Sequence, residues 1–511
     1  MERYRIRSVS ACVVVVGLAA TASAQREADR SILDKIRAEA SQKSEVTTIF
    51  DQFVTVIGPR LTGSPEYKAA ADWARARLSS WGLANANLER WEFGRGWALE
   101  RLVVEIVEPR YMPVIAYAEG WSASTPAEIV AVPLYVGNKT AQDVVAMKDK
   151  LPGAIVLAQP IVTGFVREDR PQPTTSDTAV RIGAPPMPRQ GNLNQSESRL
   201  IAQTIREAKP GAILRSSAGE HGTVFVLGRD QGDNASPSIV LAAEHYNMIA
   251  RMLEKNVPVK LRVNMQTRFL TSDMNGYNVV AELPGTDPAL KDEVVLLGAH
   301  LDSWHTGTGA TDNADGSAAA MEAMRILKAI GVRPRRTIRV ALWGGEEQGL
   351  LGARAYVKTH YEGGANKAAR DRVALYLNID PGMGPIHGWY SEGNATAKGI
   401  FDGWAEPLKD LGVRRNIEAG IGSTDHVAFR EAGIPGFNPV QDYVTYDVRT
   451  HHTNVDTYER VRPEDLRQNA IVLAWFAYNA SVTDQKFPRP EPRAPRVAQR
   501  FRPAVPPASR R

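Results

Sequence analysis

The stretch Val294-Val-Leu-Leu-Gly-Ala-His-Leu-Asp-Ser-Trp304 begins as an unbroken apolar run and ends on a histidine two residues ahead of an aspartate. A short apolar run closed by polar residues reads as a strand buried on both faces, as in parallel sheets. The chain passes Gly309-Ala-Thr-Asp-Asn313 and takes on helical spacing from about Asp315 to Ile330. A second apolar run, Ile338 to Gly344, then leads into Trp343-Gly-Gly-Glu-Glu347. Helical spacing returns from about Gln348 to Thr359, and a third run, Val373 to Asp380, ends on another carboxylate. Strands alternating with amphipathic helices predict an α/β fold with a parallel-stranded sheet covered by helices on both faces. Such sheets bind ligands beyond the carboxyl ends of their strands, which is where His300, Glu346-Glu347 and Asp380 fall.

These side chains suit a metal centre. Catalytic zinc takes imidazole nitrogen and carboxylate oxygen and keeps one position open, and two adjacent ions need a shared ligand. We assign the sharing to Asp312, with His300 and Asp380 on one zinc and Glu347 and His452 on the other, so two ions are expected. Glu346 sits beside a ligand without being one and is the expected catalytic base. Asp302 is placed to accept the second ring N–H of His300, and Asp456 is expected to do the same for His452. Either member of the His451-His452 pair could bind metal; His452 is preferred because, like His300, it is followed by an aspartate. Asp425 and His426, in Gly422-Ser-Thr-Asp-His-Val427, are candidates for the substrate pocket, as are Tyr446 and Arg449. His305, His360 and His387 are read as ordinary residues. Taken singly, His-x-Asp is more often a surface turn and Glu-Glu a helix-dipole contact. Their occurrence in order at strand ends, in a chain with nine histidines, carries the metal reading.

The whole chain sets bounds on this reading. Its 511 residues exceed one ordinary domain, and 43% apolar with 23% charged residues are usual for a globular protein. Residues 1–24 combine a basic start, an apolar stretch and Ala22-Ser-Ala24, the pattern of a signal peptide cleaved after Ala24; a periplasmic or extracellular location follows. Beyond it no apolar run reaches the length of a membrane span. The single cysteine, Cys12, lies inside that segment, so the mature chain lacks disulfides, thiol catalysis and Cys-ligated zinc. Residues 25–125 are read as the first part of a catalytic domain and 269–485 as its remainder. Between them, 126–268 changes texture to short apolar runs such as Gly153-Ala-Ile-Val-Leu-Ala158 and Gly222-Thr-Val-Phe-Val-Leu227, a mainly β insert with a polar, Pro-rich loop from Arg170 to Glu197. The net charge of +5 owes much to a basic, Pro-rich tail, 486–511, read as disordered; without interleaved aromatics it does not point to nucleic acid.

Residues 298–316, Trp343 to Gly352, the Asp380 turn and the His452 to Thr457 stretch resemble the co-catalytic dinuclear zinc exopeptidase family, which includes bacterial leucyl-type aminopeptidases and carboxypeptidase Q. Gly58-Pro-Arg-Leu-Thr-Gly-Ser64, His300-Leu-Asp-Ser-Trp304, Val332-Arg-Pro-Arg-Arg-Thr337 and the paired histidines are similar to the carboxypeptidase Q branch. Asn313-Ala-Asp-Gly316 is closer to the aminopeptidase branch. The resemblance implies a three-layer phosphorylase/hydrolase-like sandwich with a mixed, mainly parallel sheet and a protease-associated domain as the insert. It also implies hydrolysis of a terminal peptide bond of a peptide substrate, and a homodimer. Amino-terminal, carboxy-terminal and dipeptide preference stay open. A one-zinc glutaminyl cyclase-type transferase would need fewer ligands, and a noncatalytic binding protein should have lost Glu346 or a ligand.

Overall fold

The computed structural model describes residues 30–173, 186, 188, 194–484 and 486–490. The 1–24 segment, most of the Pro-rich loop and the tail beyond 490 lie outside the described residues.

A seven-stranded sheet runs, in spatial order, through Ala84–Glu92, Asn275–Leu283, Thr337–Trp343, Val294–His300, Val373–Asn378, Gly436–Asp442 and Met383–Tyr390. The four strands from Thr337–Trp343 to Gly436–Asp442 are mutually parallel, and the outer pairings are antiparallel. The sheet is therefore mixed but less parallel than the sequence led us to expect. A parallel partner needs a crossover of a dozen or more residues. The links from Leu283 to Val294 and from Asn378 to Met383 are shorter, and each reverses the chain.

Side-chain alternation divides each central strand between two cores. Val295, Leu297 and Ala299 face one core with Ile338, Val340 and Leu342, under the helices Val46–Asp51, Asp315–Ala329 and Pro463–Val482. Leu296 faces the other with Ala341 and Trp343, under Leu351–His360 and His426–Glu431. Each fully buried aliphatic side chain contributes roughly 1.5–3 kcal/mol, so both layers hold the strand ends rigidly. The helix Pro65–Ser80 starts as its sequence suggests: Ser64 Oγ accepts the Tyr67 N–H at 3.1 Å, and proline occupies the first turn.

Two smaller sheets lie apart from this sandwich. One orders Met112–Pro113, Gly96–Glu108, Lys260–Leu270 and Ile129–Ala131, all antiparallel; the other orders Ala116–Ala118, Ser238–Leu241, Ala212–Ser216, Ile155–Leu157 and Leu134–Tyr135. Their shared core includes Trp97, Val104, Leu157, Leu241, Tyr246 and Val263. These sheets begin at Gly96, ahead of the 126 boundary suggested by texture, because Gly96–Glu108 pairs along most of Lys260–Leu270. The apolar run Gly222 to Leu227 forms no named strand. Its backbone turns instead to the sandwich, where Val226 N–H donates to His452 O at 3.1 Å and Val224 N–H to Asn454 Oδ1 at 2.7 Å. Among the described residues no helix is long and apolar enough to cross a membrane.

Candidate metal centre

The parallel strands end on one edge, and the expected ligands follow from them. His300 closes its strand, Glu346 and Glu347 follow Trp343, Asp380 stands two residues beyond Asn378, and His452 lies beyond the turn Tyr446–Thr450. Asp312 sits in the turn Ala310–Ala314 that opens the helix Asp315–Ala329. His300 Nε2, fully buried, is 3.1 Å from Asp312 Oδ1 and 3.7 Å from Asp380 Oδ1. His452 Nε2 is 3.4 Å from Asp312 Oδ2 and 2.9 Å from Glu347 Oε2. The two oxygens of Asp312 thus face two different imidazoles.

Burial opposes charge on His452, but the Glu347 carboxylate outweighs it and pushes the imidazole up to about 9. Burial and then the Asp312 carboxylate push Glu347 up to about 7. Glu346 is raised well above the usual carboxylate range, first by burial and then by Asp380, Asp425 and Glu347, against the lowering effect of His300. Acids this close repel one another unless cations lie between them. The donor set, imidazole nitrogens and carboxylate oxygens without sulfur, fits zinc. His300, Asp312 and Asp380 form one group able to hold a cation, and Asp312, His451 and His452 another. Within the histidine pair, His452 is the one against Glu347, whereas His451 Nδ1 is 3.9 Å from Asp447 and its ring stacks on Tyr446.

Both aspartates expected to orient imidazoles brace the backbone, and Asp302 does so while its carboxylate also stays beside the His300 ring. The Asp302 carbonyl oxygen, at 2.9 Å, is what meets His300 Nδ1, with the carboxylate at 3.5 Å. That carboxylate accepts the N–H groups of Glu346 and Glu347, at 3.2 and 3.4 Å, and the Thr62 hydroxyl at 2.9 Å. Asp456 makes no contact with the His452 ring; its carboxylate accepts Thr311 N–H at 2.8 Å, Thr311 Oγ1 at 2.9 Å and Asp312 N–H at 3.2 Å. Each carboxylate therefore fixes the turn that carries other ligand candidates. Replacing Asp302 with alanine frees the Glu346-Glu347 turn, and activity should fall by ~10–100-fold, the usual cost of removing such a support. Steady-state kinetics and zinc analysis on the same preparation measure it; an unchanged rate would show that the turn holds itself.

Arg60 and Thr62 did not emerge from the sequence as members of the site. Thr62 Oγ1 accepts the Gly345 N–H at 2.9 Å while donating to Asp302. Arg60 is fully buried and donates to the carbonyls of Phe53, Gly58, Leu301, Thr308 and Gly309 at 2.8–3.1 Å, so it spans the loop between His300 and Asp312. The available signal was the similarity of Gly58 to Ser64, which no metal motif explains.

Residues 278–477 match the family described as Peptidase family M28. The sequence is 28% identical to carboxypeptidase Q of Mus musculus over 449 residues, 85% of each chain. The fold matches the peptidase M28 precursor of Shewanella amazonensis SB2B with a TM-score of 0.67 and 26% identity, over 91% of this chain and 99% of that one. Residues 278–477 thus match a peptidase M28 domain, and the chain resembles the M28 zinc exopeptidases. BSAP, a zinc aminopeptidase from Bacillus subtilis, shares the fold at a TM-score of 0.58 and 19% identity, over 88% of this chain and 98% of that one.

A cavity of about 860 Å³ opens beside Glu347, His452 and Trp304 and extends to Trp121, Gln159, Arg206, Arg215 and Arg229 of the smaller sheets. The residues read from sequence as pocket candidates do not line it. Tyr446 is buried between Arg170 and His451, and Arg449 donates to Glu220 O and Thr223 Oγ1, both at 2.7 Å. His426 Nε2 lies 3.1 Å from both Glu392 Oε1 and Ile421 O. Asp425 is fully buried, and neither of its carboxylate oxygens has a hydrogen-bond partner among the described residues. Trp304, which is not among the pocket candidates read from the sequence, lines the cavity and lies edge-on to His452 at 6.2 Å.

Proposed function

We propose that this protein is a dinuclear zinc exopeptidase of carboxypeptidase Q type, hydrolysing a terminal bond of short peptides. The observation that carries the two-ion reading is Asp312, whose oxygens face His300 on one side and His452 on the other. His300 and Asp380 would hold one zinc, Glu347 and His452 the second, with Asp312 common to both. Zinc bound there supplies Lewis-acid chemistry, polarising a carbonyl and acidifying water. Glu346 takes the proton from the attacking water and returns it to the leaving amine. Glu346 is buried beside the expected ligands, and Asp302 Oδ1 accepts its backbone N–H and holds it in place. The smaller sheets act as a protease-associated domain that walls the cavity and limits the length of bound peptide. The N-terminal signal pattern supports export, and family resemblance supports a homodimer.

The far wall of the cavity favours a free carboxylate. Arg206, Arg215 and Arg229 line it, and its acidic residue, Glu119, is already bonded to Arg215 and Ser238. A guanidinium fork suits a carboxylate in paired geometry. Matched tripeptides blocked at one end test this. N-acetylation should leave hydrolysis largely intact, and C-terminal amidation should suppress it. The reverse pattern, cleavage of the amide and not of the acetyl peptide, would establish an aminopeptidase.

A further inference from the structure

Residues 158–173 leave the smaller sheets and cross to the loop that carries His452. Their first half is tied to the insert: Val162 N–H donates to Asn247 Oδ1 at 2.8 Å and Val166 N–H to Ala218 O at 2.9 Å. Their second half is tied to the sandwich. Asp169 accepts the N–H groups of Thr445 and Val448 at 2.7 and 3.0 Å, and Gln172 Oε1 accepts that of Tyr443 at 2.5 Å. Between these ties Arg170 forks onto Asp447: backbone N and Nε donate to Oδ2 at 2.8 Å, and Nη2 donates to Oδ1 at 2.6 Å. The pair is almost sealed from solvent, with 5% and 2% of the side chains exposed.

The guanidinium lies 4.3 Å from the Tyr443 ring centroid and 5.7 Å from that of Tyr446. Tyr446 stacks on His451 at 5.1 Å and 21°, and the His451 ring is 3.8 Å from that of His452. His452 itself has φ of +62°, a left-handed backbone that a bulky residue keeps only when its surroundings impose it. Val226 and Arg449 also hold this loop, through His452 O and Glu220 O, so it stays attached without Arg170.

We propose that Arg170 is a positioning residue for the His452 imidazole. Its fork on Asp447 and its contact with the two tyrosine rings fix Tyr446, and through His451 this sets how His452 faces Glu347 and Asp312. The insert thereby shapes half of the metal centre, a conclusion that rests on the two-zinc reading above.

The test is a zinc titration of the full-length enzyme against a chromophoric chelator. Wild type should bind in two steps, and His452→Ala identifies which step belongs to the His452–Glu347 side. Arg170→Met should weaken that step by ~10–100-fold, as expected for loss of a ligand-orienting partner, and leave the other unchanged. Arg170→Met also strands the buried Asp447 charge, so the double variant Arg170→Met/Asp447→Asn separates the two effects. Its metal-free melting temperature should recover while the zinc step stays weak. Arg170→Lys, which keeps the charge and loses the fork, should fall between wild type and Arg170→Met. Unchanged steps in Arg170→Met, or a step that recovers together with stability in the double variant, would overturn the positioning role. A wild type that binds one zinc, unaffected by His452→Ala, overturns the two-zinc reading itself and leaves Arg170 no ligand to position.

Discussion

Glu346→Gln should lower kcat by ~10²–10⁴-fold, the usual cost of removing a general base, with zinc content and melting temperature close to wild type. The glutamine side chain has the size of glutamate, and the backbone contact to Asp302 Oδ1 does not involve the altered group. Metal should stay because Glu346 is not among the five expected ligands, His300, Asp312, Glu347, Asp380 and His452. The loss should fall on kcat rather than KM, since a proton transfer made in the transition state contributes little to ground-state binding. Kinetics paired with elemental analysis decide the point. A variant that keeps two zincs and nearly full turnover would remove Glu346 from the mechanism and turn attention to the buried Asp425.

Asp312→Ala should strip both ions, taking zinc from two per chain to nearly none and hydrolysis to background. Its oxygens are 3.1 Å from His300 Nε2 and 3.4 Å from His452 Nε2, so each coordination set loses a member at once. Glu347→Ala, by contrast, should remove one ion. Stability gives a second readout with a definite sign. Zinc stabilises the folded state by mass action, so the increment in melting temperature on adding zinc should vanish in Asp312→Ala. The metal-free variant should melt somewhat lower than metal-free wild type, because the Asp312 carboxylate, which despite burial is held below the usual range by His300 and His452, loses its contacts with both imidazoles. A variant that still binds one zinc tightly would show that Asp312 serves a single ion.

The sheet was legible because its central strands are nearly continuous apolar runs that stop on polar residues, and burial on both faces demands that composition. Val294–His300 and Thr337–Trp343 fall within a residue of the expected spans. The direction of the outer strands was not legible, since apolar content does not encode connection length. Gly222 to Leu227 has a strand's composition but spends its hydrogen bonds on the His452 loop, a partner far away in sequence. The same limit applies at the site. Spacing brought Asp302 and Asp456 near the expected ligands, yet it could not say which way their carboxylates turn. Both accept buried or part-buried N–H groups of neighbouring turns, which would otherwise lack an acceptor, and Asp302 does so while staying 3.5 Å from His300 Nδ1.

The family match covers 278–477 and contains every expected zinc ligand. Arg60 shows that the border of the match is not the border of the working unit. Its guanidinium holds the carbonyls of Leu301, Thr308 and Gly309 in a loop that lies more than two hundred positions downstream. A recombinant fragment starting at residue 278 would keep every expected zinc ligand and still release the segment that brings His300 and Asp312 together. Attempts to reduce this peptidase to a minimal catalytic piece must therefore begin upstream of Gly58.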